Sequence, residues 1–235
     1  MIAPRGFDAL RVRASGAIAV ALLAAACGGT PAPLAPAGVF VPVSASEFLA
    51  AAARTLPGTH ALLAIRWRYD DGESPMSGRG AVRLAPPDSL RLDVGLGILG
   101  RATLVLAGDS AWSQPGAVVR QVVPNRSLLW SMFGVVRPPE SMSSVERSQT
   151  ADRRVYRVAS ADGLITTLVL KGDTLLGATE ARGQRPVGRL DLTRDSAGLV
   201  VRAEAVDLEH GVRFVMDVDR RESGGTFPNE IWRRP

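Results

Sequence analysis

The chain has 235 residues, 46% of them hydrophobic, and carries 28 basic against 23 acidic side chains for a formal charge of +5. That apolar share excludes a disordered protein, and the length allows one sizeable core with accessory segments. Lys171 is the single lysine, and the arginines stand at alternate positions with aspartate and glutamate between them; this is the pattern of solvated strand faces and argues against a nucleic-acid partner.

In chain order, Arg5, Arg11 and Arg13 precede the apolar run Ala14–Ala26, which ends "LLAAAC". The run is too short to span a bilayer comfortably and right for the apolar region of a secretory signal. Cys27 is the only cysteine, so no internal disulfide can form. Residues 1–26 are expected to be a signal peptide, cut before Cys27 or, alternatively, after an Ala-x-Ala at Ala24–Ala26 that would leave a free thiol. Gly28–Gly38, "GGTPAPLAPAG", is too dense in proline and glycine for helix or ladder. Residues 27–43 therefore read as a tether, and the folded domain as 44–235.

Ser44-Ala-Ser-Glu47 has capping-box spacing, and strong helix formers follow as far as Pro57-Gly58, which predicts one amphipathic helix with Phe48, Ala52 and Leu56 toward a core. From His60 onward the period is two. Strands are expected over Leu63–Tyr69, Gly80–Leu84, Leu90–Val94, Thr103–Leu106, Val118–Val122, Val155–Val158, Ile165–Leu170, Thr174–Ala178, Val187–Leu192, Leu199–Val206 and Val212–Val218. Turn residues separate them at Asp70–Gly72, Pro86–Asp88, Gly108-Asp109, Asp162-Gly163, Lys171–Asp173, Asp195–Gly198 and His210-Gly211. Connections this short imply antiparallel neighbours. One apolar segment interrupts the series, "RSLLWSMFGVV" at Arg126–Val136, and reads as a short helix lying on or inside the sheet. The expected fold class is mainly β (α+β): a single large antiparallel sheet, curved or closed, with an N-terminal and a short central helix.

"GLGILG" at Gly95–Gly100 has the glycine spacing of a dinucleotide-binding turn. Such a turn needs a buried parallel strand before it and a helix after it. Here Leu90, Leu92 and Val94 alternate with Arg91 and Asp93, and "RATLVLA" after Gly100 alternates like a strand. What remains is a hairpin whose tip carries Leu96, Ile98 and Leu99, side chains that either fold back into the core or form an apolar finger for lipid or an acyl chain.

Enzyme chemistry finds no footing. His60 and His210 sit at turns and make no spaced metal pair, one cysteine and two distant histidines do not build a zinc site, and no Gly-x-Ser-x-Gly elbow occurs. Asp70, Asp71, Asp109, Asp162 and Asp173 stand where turns want them. The chain reads as a non-enzyme without cofactor or metal.

Two resemblances add to this. Leu22, Leu23 and three alanines before Cys27, with Gly28-Gly29 after it, resemble the lipobox of bacterial lipoproteins, in which the cysteine is acylated. The N-terminal helix, the Trp67-bearing first strand and "GRGAVRLAPPDSLRLDVGLGILGRATLVLAGDSAW" at Gly78–Trp112 are similar to the LolA/LolB family of lipoprotein-localisation proteins, closest in kind to the acylated outer-membrane receptor LolB. The resemblance implies an incomplete antiparallel barrel covered by helices over a concave face that takes lipoprotein acyl chains. It makes Cys27 the lipid anchor and Leu96, Ile98 and Leu99 a membrane- or acyl-contacting loop. With that fold, alternation offers Ile65, Trp67, Tyr69, Val82, Leu84, Leu90, Leu92, Val94, Leu104 and Leu106 as cavity-lining candidates, joined from the central helix by Leu129, Trp130, Met132 and Phe133; core packing explains the same pattern. Arg66, Arg68, Arg83 and Arg91 would point to solvent. The implied partners are acylated lipoproteins or lipid, a LolA-like periplasmic carrier and the membrane, with the protein a monomer anchored in the outer membrane and facing the periplasm. A lipid- or envelope-protein-binding sensor or structural lipoprotein of the same fold is the alternative.

Overall fold

In the computed structural model the described residues are 38–108, 110–116 and 126–233, without the side chains of Leu99, Arg126 and Ser127. The expected signal at 1–26, Cys27, the tether as far as residue 37, the turn residue Asp109 and the strand expected at Val118–Val122 lie outside them.

Helix α1 (Ala45–Ala53) begins where the capping box predicts, with the Glu47 amide donating to Ser44 Oγ at 3.2 Å. Only half of the box forms. The Glu47 carboxylate turns to the sheet, where it accepts from Arg147 Nη1 at 2.6 Å and from the Tyr156 hydroxyl at 3.5 Å. One face of α1 buries Phe48, Ala51 and Ala52, with the Phe48 ring 5.4 Å from that of Tyr156.

Thirteen described strands form one sheet. They are β1 (Val41–Pro42), β2 (Ala61–Asp70), β3 (Met76–Ala85), β4 (Ser89–Gly95), β5 (Arg101–Ala107), β6 (Ser110–Gln114), β7 (Met142–Gln149), β8 (Arg154–Ser160), β9 (Leu164–Lys171), β10 (Thr174–Arg182), β11 (Arg185–Arg194), β12 (Val200–Asp207) and β13 (Val212–Ser223). The spatial order β1-β7-β8-β9-β10-β11-β12-β13-β2-β3-β4-β5-β6 is antiparallel throughout. Two meanders, β2–β6 and β7–β13, thus meet along β2 and β13, where Arg213 pairs with Asp70 and Ser223 with Ala61. The sheet is not closed, since β1 and β6 stand at opposite ends of the order.

Topology explains the apolar interruption in the sequence. The connection from β6 to β7 leaves one edge of the sheet and returns beside the other, so it must cross the sheet. Its described part starts as α2 (Arg126–Ser131), shorter than the expected helix, because Gly134 adopts a left-handed φ of 80° and turns the chain. Leu128 to Val136, Gly134 included, are buried, and the Val136 amide donates to Thr55 Oγ1 at 2.8 Å just past α1.

Alternation gives the sheet two unlike faces. The inner face is apolar and joins α1 and the crossing segment in one core cluster. The outer face carries cross-strand ion pairs: Arg66–Asp219 at 2.8 Å, Arg202–Asp217 at 2.9 Å and Arg213–Glu204 at 2.8 Å. Here the alternate arginines find the acids that stand between them in sequence.

Arg83 and Arg91 depart from the expectation of solvent exposure. Both pair with Asp93, at 2.7 and 2.8 Å, and Arg91 Nη1 also donates to the Ile231 carbonyl at 2.8 Å. The cause is a C-terminal 3-10 turn, Asn229–Trp232, that packs on β4 and β5 and has no periodic signature. Burial raises the Asp93 carboxyl pKa, but hydrogen bonds from Arg91 and Thr103 and the charges of Arg91 and Arg83 outweigh it, and the net shift is below the ordinary 3.8. A depressed folded pKa stabilises above the unfolded value, and that contribution is lost as pH falls through the folded one. Asp93→Asn is therefore expected to lower stability by about 1–3 kcal/mol at neutral pH and to flatten the acid limb below pH about 4, which urea titrations across that range would measure.

Candidate functional site

The inner face of β2–β5 gathers the residues that alternation selected. Ile65, Trp67, Tyr69, Val82, Leu84, Leu90, Leu92, Val94 and Leu106 are buried there, and Leu104 is partly buried against them. The ladders place them in rows: Leu63, Val82, Leu92 and Leu104 cross four neighbouring strands, and Leu84, Leu90 and Leu106 cross three. Leu129, Trp130, Met132 and Phe133 are buried in the same cluster. Leu128 reaches the second meander, where a Cβ built on Gly188 of β11 would stand 3.3 Å from Leu128 Cδ1.

Two glycines let neighbouring strands of this wall approach closely. Added Cβ atoms at Gly78 and Gly80 of β3 would meet main-chain oxygens of β4, those of Gly95 and Asp93. The Gly78 position is also 3.0 Å from Trp67 Nε1. The strands approach here in a way that only a residue without a side chain permits.

The second meander contributes a half of the face on which sequence reasoning placed no site residue. Tyr156, Leu168, Leu170, Leu190, Phe214 and Met216 are buried in the same cluster, and Phe214 stacks on Trp67 with centroids 6.2 Å apart. Polar groups interrupt the surface. The indole N–H groups of Trp67 and Trp130 have no acceptor among the described residues. Glu180 of β10 is buried on the inner face beside Thr166, because the irregularity between Leu175 and Gly177 shifts the alternation so that Ala178 and Glu180 turn inward. No sequence signal announces that shift.

The tip of the β4–β5 hairpin is a 3-10 turn, Gly97–Leu99, closed by the Leu96 amide on the Gly100 carbonyl at 2.8 Å, with φ of +62° at Gly97 and +90° at Gly100. Leu96 and Ile98 of the tip face different surroundings. Leu96 continues the inward parity of Leu92 and Val94 and is core, 8% exposed, which corrects its expected place on the finger. Ile98 is fully exposed, and the Leu99 side chain lies outside the description.

Of the histidines, His60 stacks on Phe227 at 5.4 Å and His210 pairs with Asp207 at 2.8 Å in an exposed turn. Among the described residues no group of three His, Cys, Asp or Glu could hold a metal ion. No helix among them is long and apolar enough to cross a membrane.

A single open antiparallel sheet, apolar on its inner face and packed there against a helix and an edge-to-edge crossing segment, defines the class. The same architecture occurs in a LolA superfamily protein from Nitrosomonas europaea, similar over 82% of this chain and 98% of its own with a TM-score of 0.55 and 12% identity. A DUF1329 family protein from Desulfovibrio piger covers 80% of this chain and 96% of its own, with a TM-score of 0.48 and 9% identity. An outer-membrane lipoprotein-sorting protein domain from Vibrio parahaemolyticus covers 80% and 94%, with a TM-score of 0.45 and 6% identity. No family model matches the sequence, and no curated protein matches it. The fold of this chain is LolA-like.

Proposed function

We propose that this protein is a lipid-anchored envelope lipoprotein of LolB type, which receives the acyl chains of lipoproteins on its inner face and passes them to the outer membrane. The observation that carries the reading is the cover: an apolar sheet face closed by a helix and a crossing loop, rather than by a second sheet, can be uncovered without breaking the sheet's own ladder. The need for such a carrier is large. Each acyl chain of about fifteen methylenes exposed to water costs on the order of 12 kcal/mol at roughly 0.8 kcal/mol per methylene. No bond need form or break, so we take the protein to be a non-enzyme without cofactor. Cys27 would hold it at the outer membrane on the residue 27–43 tether, a LolA-like carrier would deliver the cargo, and Ile98 at the glycine-bounded tip would enter the bilayer at release. The candidates of β2–β5 and of the crossing segment would line the acyl site as a monomer's interior.

A depletion strain complemented with variants tests this. Loss of the protein is expected to leave lipoproteins out of the outer membrane; their normal arrival would sink the transport role and favour a sensor or structural one. Ile98→Ser is expected to keep the wild-type melting temperature, since the side chain is wholly exposed, yet to impair delivery. Cys27→Ala is expected to move the protein into the soluble fraction.

A further inference from the structure

On the inner face Arg147 and Arg154, opposite buried Tyr156 and Leu170, meet the carboxylates of Glu47 and Asp173 at 2.6 and 3.2 Å, whereas two arginines at one end of the sheet meet none within 4 Å among the described residues. Pairing of β13 with β2 slips between Val218 and Arg220, so that Asp219 is an extra residue and Arg221 falls opposite Leu63. Leu63 is wholly buried on the inner face, and directly paired residues share a face, so the bulge turns Arg221 inward. In β11, Arg194 continues the inner row of Leu190 and Leu192 and pairs with buried Val200. Both arginines are partly buried. They lie at the end of the sheet away from the hairpin tip, since Leu63 is four residues, about 13 Å, along β2 from Trp67.

Their partners are unlike those of other arginines in the sheet. Arg66, Arg68, Arg202 and Arg213 all meet carboxylates within 4 Å on the outer face, at 2.8, 3.3, 2.9 and 2.8 Å. Arg194 instead donates to carbonyls, from Nε to Leu175 at 3.0 Å and from Nη1 to Gly198 at 2.6 Å. Among the described residues neither Arg194 nor Arg221 forms a salt bridge. Asp195 acts on both at longer range, but its Oδ1 already accepts from the Ala197 and Leu199 amides. Burial draws both guanidinium groups below the usual arginine value, and the charge of Arg221 adds to the effect at Arg194. The crossing segment passes over Arg194: a Cβ on Gly134 would stand 2.7 Å from Arg194 Nη2 and 3.3 Å from Val200 Cγ2. Two like charges, partly desolvated at the end of an apolar surface and with no carboxylate within 4 Å among the described residues, would gain from an anion that joins them.

We propose that Arg194 and Arg221 bind the anionic headgroup, phosphate or carboxylate, of an amphiphile whose acyl chain lies along the inner face. The proposal rests on the acyl-binding reading above and narrows the ligand to acidic lipids. Arg194 is held in place by its two carbonyls, and Arg221, which has no such anchor among the described residues, closes on the headgroup from β13, across the intervening β12. Guanidinium suits both oxyanions, because it can offer two parallel N–H donors to one group.

Fluorescence titration of the purified full chain with cis-parinaric acid and with its methyl ester tests the site. The acid is expected to bind about ten-fold more tightly than the ester, the scale of one charge-assisted hydrogen bond. Arg221→Gln is expected to abolish that preference while binding the ester as the wild type does, which also shows that the variant is folded; Arg221→Lys is expected to retain part of it. Displacement by palmitate and by palmitoyl lysophosphatidic acid ranks the two headgroups, and either ranking supports the site. Equal affinity of the wild type for acid and ester, or an unchanged preference in Arg221→Gln, overturns the headgroup site alone. Binding of neither probe overturns it together with the acyl-binding reading.

Discussion

Trp67→Ala is expected to lower the free energy of unfolding by about 3–5 kcal/mol, the range for truncating a large buried aromatic, as read from urea midpoints at unchanged slope. Trp67 is 1% exposed, stacks on Phe214 and fills the space beside Gly78, so its removal leaves a void between the two meanders where they join. Trp67→Phe is expected to behave differently. It sacrifices part of the buried area but also removes an indole N–H that has no acceptor among the described residues, and an unsatisfied buried donor costs about 1–3 kcal/mol. The two effects oppose, and the net loss should stay within about 1.5 kcal/mol. A Phe variant as unstable as the Ala variant would show that the N–H is bonded after all.

Gly80→Ala is expected to destabilise by about 1–3 kcal/mol, against the gain of about 0.5–1 kcal/mol that alanine usually brings to a strand interior. The added Cβ would lie 2.5 Å from the Asp93 carbonyl oxygen and 3.2 Å from Val94 Cγ1. The carbonyl is main chain in the ladder between β3 and β4, so it cannot swing aside as a side-chain end could. Relief requires the two strands to part where Gly80 pairs with Val94. Gly78→Ala should act in the same way through the Gly95 carbonyl. Gly58, whose Cβ would meet nothing within 4 Å, is the control: Gly58→Ala should leave the melting temperature within about one degree.

The inner half of the candidate site was legible because burial on one face of an antiparallel strand writes itself as period two. Leu90, Leu92 and Val94 announce their face without any structure, and Ser44 with Glu47 announces the start of α1. The signals failed where a segment carries no apolar alternation of its own. Strands β6 and β7 went unseen because "SAWSQ" and "MSSVERSQ" are mostly polar and owe their place to neighbours in the sheet. Leu96 looked like a finger residue because glycines on both sides gave no hint that its parity continues inward. The C-terminal turn, which makes Arg91 a half-buried ligand of the Ile231 carbonyl, has no period at all.

Local chemistry therefore decided the class: alternating side chains with short polar turns allow an antiparallel sheet with one apolar face, and nothing in the chain supplies the helices that a parallel sheet would need. Tertiary structure decided what lies on that face. The extra residue at Asp219, the shift near Leu176 and the junction of β13 with β2 choose Arg221 over Arg220 and turn Glu180 inward. A bulge changes which parity faces the core only when a particular partner strand fixes the register, and for Arg221 that partner, at Leu63, lies about 160 residues away in the chain.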